Sequence, residues 1–67
     1  MIDARGRSCP EPVIRIKKAM ESGEAHYELV SDRITAAENV ARYAESNGYA
    51  AKIEQSGEDF VVKMDKK

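Results

Sequence analysis

The chain reads as a two-layer α/β sandwich (fold class α+β) with the element order βαβαββ. Three observations predict it. Four segments alternate apolar and polar side chains with period two, and two segments between them repeat apolar residues at the helical spacing. The alternating segments are never continuously apolar, so one face of the sheet is covered and the other meets solvent. Two strand–helix–strand crossovers in one sheet are both right-handed by rule, which places both helices on the same face.

The elements follow in order. Met1–Arg5 is the first strand, with Ile2 and Ala4 to one side and Asp3 and Arg5 to the other. Gly6-Arg7-Ser8 is the turn after it. From Pro10 to about Ser22 the period is helical: Val13, Ile16 and Met20 form the apolar stripe, and Gly23 stops the helix. Ala25–Ser31 alternates again, with Tyr27 and Leu29 on one side and His26, Glu28 and Val30 on the other. Asp32 or Thr35 then caps a second helix, and Thr35-Ala36-Ala37-Glu38 fits a capping box. Its stripe is Ile34, Ala37, Val40, Ala41 and Ala44, and Asn47-Gly48 ends it, with Tyr49 packing back over the last turn. Tyr49–Gln55 carries Ala51 and Ile53 inward. Ser56-Gly57 is a turn, and Asp59–Asp65 carries Phe60, Val62 and Met64 inward, before a frayed end of lysines.

Composition narrows the function classes. With 67 residues the length suits one domain, 1–67, with a thin core and little room for an enclosed substrate cavity. Of the apolar residues, nine are alanines; there is one Phe and no Trp. Cys9 is the only cysteine, so no intramolecular disulfide can form. One Cys and one His fall short of the four ligands of a structural zinc, and no metal or other cofactor is expected. Eleven basic and twelve acidic residues give a net charge of −1, which suits nucleic acid poorly. No apolar run approaches the roughly 20 residues of a membrane span. The start lacks the apolar core of a signal peptide, of roughly 7–15 residues. A cytoplasmic protein with a reduced thiol is the expectation.

That thiol occupies a particular place. In Arg5-Gly-Arg-Ser-Cys-Pro-Glu-Pro-Val13, Pro10 suits the first helical position, which makes Cys9 the N-cap. Pro12 lacks an N–H as well, leaving chiefly those of Glu11 and Val13 beside the sulfur. These donors and the positive end of the helix dipole favour thiolate over thiol. Arg5 and Arg7 pull the same way and Glu11 opposes them. A lone cysteine in a small domain is also an ordinary buried hydrophobe. Yet Ser, Thr, Asp or Asn is the usual cap, and two prolines in one turn fix the backbone that presents this side chain. Without a resolving cysteine a dithiol cycle is closed to it. His26, on the solvent side of its strand, reads as a surface residue and not a catalytic base. A lone activated thiolate can still accept a sulfur atom as a persulfide and pass it to another thiol.

At this point Asp3-Ala-Arg-Gly-Arg-Ser-Cys-Pro-Glu-Pro-Val13 resembles the signature of the TusA/SirA/YedF-like sulfur carriers, with their Cys-Pro-x-Pro motif. The resemblance covers nearly the whole chain, and Glu38–Tyr49 looks most like the YedF-type branch. It implies a four-stranded mixed sheet under two helices. It implies that Cys9 carries the transferred sulfur and that Pro10 and Pro12 are the motif prolines. Asp3, Arg5 and Gly6 match the family's lead-in, and Asp32 its polar position after strand two. Arg7 departs from it, standing where the family commonly has an apolar residue. The implied activity is sulfur relay, a sulfurtransferase role in concert with others and not that of a stand-alone enzyme. The implied partners are a sulfur donor, such as a cysteine desulfurase or rhodanese, and a sulfur acceptor protein.

Other residues admit two readings. Arg15, Lys17 and Lys18, with Arg5 and Arg7, form either a basic patch that steers a partner or a solvated helix face. Ile14, off the main stripe, is a docking contact if exposed beside Cys9, and core edge if packed. Glu38, Arg42 and Glu45 have the spacing of surface ion pairs. Two other functions remain open. One is a non-enzymatic interaction or regulatory module in which Cys9 is a packed cap. The other is RNA binding, which balanced charge and four aromatics disfavour.

Overall fold

The computed structural model describes residues 2–6 and 11–67. Its elements are β1 (Ile2–Asp3), α1 (Glu11–Met20), β2 (His26–Ser31), α2 (Ile34–Ser46), β3 (Tyr49–Ser56) and β4 (Asp59–Lys66). The order is βαβαββ, as the sequence predicts. The four strands form one mixed sheet in the order β1-β2-β4-β3. β1 is parallel to β2, and β4 is antiparallel to both of its neighbours.

Burial follows strand position. Tyr27 and Leu29 of β2 face Met64 and Val62 of β4 in register, and all four are buried. Ala51 and Ile53 of the outer strand β3 are half-buried. α1 contributes Pro12 and Ile16, and α2 contributes Ala36, Ala37, Val40 and Ala44. Small alanines on α2 let that helix lie close over the sheet. The open face carries His26, Glu28 and Val30 of β2 and Val61, Lys63 and Asp65 of β4, as alternation requires.

Several boundaries differ from the sequence reading, each for a local reason. β1 pairs over two residues only, although Ala4 N–H still donates to Val30 C=O at 2.8 Å. α1 ends at Met20, because the N–H groups of Glu21, Ser22 and Gly23 bond three residues back, at 3.2, 3.1 and 3.1 Å, and tighten the last turn. The capping box is absent. Thr35 lies inside α2; the N-cap is Arg33, in extended conformation and with no side-chain cap bond. Ser31, fully buried, organises that entry: its Oγ accepts from Arg33 N–H at 3.2 Å and donates to Arg33 C=O at 3.4 Å. Because α2 starts at Ile34, that side chain is 44% exposed and Ala36 takes its place in the core.

The end of β4 is ordered: Lys66 N–H donates to Ala25 C=O at 2.7 Å and Lys67 N–H to Gly48 C=O at 3.0 Å. Glu38, Arg42 and Glu45 stand exposed, and no ion pair forms among them. Tyr49 is buried against Tyr27, ring centroids 5.7 Å apart. Its hydroxyl donates to Glu24 C=O at 2.8 Å, while Glu24 N–H donates to the Tyr27 hydroxyl at 2.9 Å. The two tyrosines hold the α1–β2 loop from both sides. Of the two residues in the β3–β4 turn, Gly57 has positive φ (+62°) and Glu58 does not, the pattern of a two-residue II′ hairpin.

Candidate functional site

β1 and β2 run parallel, so their C-terminal ends lie together, and each leads into a helix there. The loop after β1 and the loop after β2 are tied: Gly6 N–H donates to Asp32 Oδ2 at 3.1 Å. Gly6 has φ +74°, a backbone that L side chains rarely adopt. A Cβ there would meet nothing within 4 Å, so the need for glycine is conformational and not steric. Asp32, read from sequence as a cap or as the polar position after strand two, therefore fixes where the chain turns toward α1. The sequence signal for that role was its place immediately after β2, opposite a glycine turn.

Asp3 and Arg5 form a second fixed unit. Asp3 Oδ1 accepts from Arg5 N–H at 3.0 Å and from Arg5 Nε at 3.1 Å, and Oδ2 accepts from Arg5 Nη2 at 3.0 Å. Arg5 Nη1 also reaches Asp59 Oδ2 at 3.4 Å. The Arg5 guanidinium holds the Asp3 carboxyl down to about 2, and Asp3 holds the Arg5 charge firmly on. Two carboxylates offset this one cation. Arg5 is thus spent largely on its own neighbours, which reduces the help the sequence assigned it toward an anion nearby.

On α1, Pro12 is buried, whereas Ile14 is 44% exposed. Lys17 and Lys18 are exposed on the same helix. Arg15 is half-buried, and its Nε is buried without a hydrogen-bond partner among the described residues. Its charge also favours the ionised form of Asp3. Among the described residues, Ile14 and Ile34 are the exposed large apolar ones, each in the early part of a helix that starts at this end of the sheet. Arg7, Cys9 and Pro10, with the assignments of Cys9 as N-cap and Pro10 as first helical residue, lie outside the described residues. Their flanks, Gly6 and Glu11, both belong to this end.

Among the described residues no group of His, Asp and Glu is arranged to hold a metal ion. His26 lies at the far end of β2, about 17 Å along the strand. It is exposed, with Nδ1 2.6 Å from Asp65 Oδ1 and Nε2 2.9 Å from Glu28 Oε2. Both carboxylates push its pKa up, Glu28 most. Among the described residues no helix is long and apolar enough to cross a membrane.

Comparison with known proteins gives three findings. The sequence model of a family described as "Sulfurtransferase TusA" matches residues 1–66. A Methanocaldococcus jannaschii protein named "putative sulfur carrier protein" is 42% identical over a 60-residue alignment, covering 85% of this chain and 79% of that one. The crystal structure of a SirA-like protein from Desulfitobacterium hafniense superposes with a TM-score of 0.83 at 35% identity, over 96% of this chain and 92% of that one.

Proposed function

The chain belongs to the TusA sulfurtransferase family, and on that premise we propose that Cys9 carries sulfur as a persulfide and hands it to the thiol of a partner protein. In loading, the Cys9 thiolate attacks the outer sulfur of a donor persulfide. One S–S bond forms as the donor's S–S bond breaks, and the donor leaves as a thiolate. In unloading, an acceptor thiolate attacks the outer sulfur on Cys9, and the Cys9 thiolate leaves. The exchange is redox-neutral and needs neither a second cysteine nor a metal. A reducing compartment such as the cytoplasm suits it. The donor would be a cysteine desulfurase or rhodanese. The stretch Glu38–Tyr49 favours the YedF-type branch.

One observation supports the reading: α1 begins at Glu11, two residues after Cys9 in the sequence, and Gly6, three residues before it, is pinned by Asp32. A helix N-terminus favours an anion, so a helix start this close to Cys9 in sequence supports a thiolate there. Exposed Ile14, Lys17 and Lys18 on the same helix offer a surface for the donor and acceptor.

Incubation with a cysteine desulfurase and cysteine, followed by intact-mass measurement, tests it. The wild-type chain gains about 32 Da, one sulfur, in a form that reductant removes, and Cys9→Ser gains nothing. Equal masses before and after incubation, with a desulfurase active on its own substrate, would overturn it. A thiol pKa at or above the free value of about 8.5 with slow alkylation would instead favour a packed, structural Cys9.

A further inference from the structure

β3 is an outer strand: β4 lies on one side of it and no described strand on the other. It runs for eight residues with neither proline nor glycine, whereas the opposite edge, β1, has two. The hydrogen-bond phase shows which groups are free. Lys67 N–H donates to Gly48 C=O, and in an antiparallel ladder the bonded pairs recur at every second residue. With Ala50 opposite Asp65, Lys52 opposite Lys63 and Glu54 opposite Val61, the even-numbered residues of β3 bond to β4. Ala51, Ile53 and Gln55 therefore aim their N–H and C=O groups at the open edge. Ala51 and Ile53 also keep part of their apolar surface exposed on the helix-bearing face.

We infer that this edge pairs with β3 of a second copy of the chain, antiparallel, about a two-fold axis at Ile53. Only residues that aim outward can bond across the edge, so the register is limited to even offsets. With the axis at Ile53, the pairs are Ile53 with Ile53 of the partner subunit, Ala51 with Gln55 of the partner subunit, and the symmetric Gln55 with Ala51 of the partner subunit. Each exchanges two backbone hydrogen bonds. On the open face Lys52 then stands opposite Glu54 of the partner subunit, twice by symmetry. Moving the axis to Lys52 sets lysine against lysine, and moving it to Glu54 sets glutamate against glutamate. Charge complementarity selects the Ile53 axis. Within one copy Lys63 lies 3.2 Å from Glu54 and Lys52 lies 3.8 Å away. Lys52, 76% exposed and the looser of the two, is the one free to turn to the partner. The interface is small, so the dimer is weak and concentration-dependent.

Sedimentation velocity and amide NMR on the full chain over a concentration series test this. The expected result is a monomer–dimer equilibrium. The Ala51, Ile53 and Gln55 amides shift and gain exchange protection with concentration, while those of Lys52 and Glu54, already bonded to β4, do not. Ile53→Pro removes an N–H from the open edge and none from the ladder, so it abolishes the dimer and keeps the fold. Lys52→Glu and Glu54→Lys each weaken the dimer about tenfold, and the combined K52E/E54K variant recovers it. If Ile53→Pro does not fold, the charge-swap cycle decides alone. One monomeric species at every concentration, or a dimer indifferent to the charge swaps, overturns the proposal.

Discussion

Asp32 and His26 mark what a single residue reveals on its own and what depends on its partner. His26 lies on the solvent face of β2 as the alternation predicts, but its partners do not follow from spacing. Asp65 is 39 residues away and meets it only through the β2–β4 register. Only the imidazolium can donate from both ring nitrogens, to Asp65 and to Glu28 together. Lys63, opposite Glu28 on β4, also favours the ionised form of Glu28, after His26 itself. The pKa of His26 is raised above its ordinary 6.5, so its contribution is fully present below 6.5 and is lost as pH rises through the folded value. Glu28 is lowered below its ordinary 4.5, so its share is present above 4.5 and fades at more acid pH. The clasp is therefore fullest between these two values. Urea unfolding of His26→Gln across pH should show the largest deficit against wild type in that window and a shrinking one above it. A deficit that grows toward pH 9 would contradict the assignment. Asp3 with Arg5 is the opposite case. The sequence pattern sets them on one side, two residues apart, so proximity is readable even though Arg5 lies in the turn after β1; Asp59, the third member, is not.

At the scale of the element, strands were more legible than helix entries. Alternation identifies which side of each strand is covered, because a one-residue slip would turn every side chain over. A capping box is a weaker signal, since any Thr-x-x-Glu before an apolar run satisfies it. Here the buried Ser31 competes for the same backbone and wins, because the end of β2 places its Oγ against Arg33. The two assignments predict different mutants. Thr35→Ala, at an exposed position inside the first turn, should stay within about 0.5 kcal/mol of wild type. Ser31→Ala leaves the Arg33 N–H without its partner and should cost about 1–3 kcal/mol. Chemical denaturation of both variants checks this, and a Thr35→Ala loss equal to that of Ser31→Ala would restore the capping box. The end of β4 departs from the sequence pattern for a related reason: terminal lysines look solvated, but backbone bonds to Ala25 and Gly48 need no particular side chain.

The whole molecule is a sheet with one covered face, and its fully buried side chains are few: Ile16, Leu29, Met64, Val40 and Val62 lead them. At about 0.05–0.15 kcal/mol per residue, a chain of this length has roughly 3–10 kcal/mol of stability in total. Removing the Leu29 side chain beyond Cβ costs about 2–5 kcal/mol, since its neighbours Val62 and Ile2 belong to paired strands that cannot collapse into the space. One core truncation can thus consume most of the margin that holds the site together. Leu29→Ala should therefore lower the urea midpoint sharply with little change in slope. On the proposed function it should also lose much of its sulfur loading at 37 °C, although Leu29 carries no reactive group. Loss through unfolding and loss through chemistry then separate by solvent. Sucrose, which is excluded from protein surface and favours the compact state, should restore loading to Leu29→Ala and leave Cys9→Ser inert. Loading of Leu29→Ala that stays low in sucrose while its circular dichroism returns to that of the wild type would mean that Leu29 acts on the site by some route other than global stability.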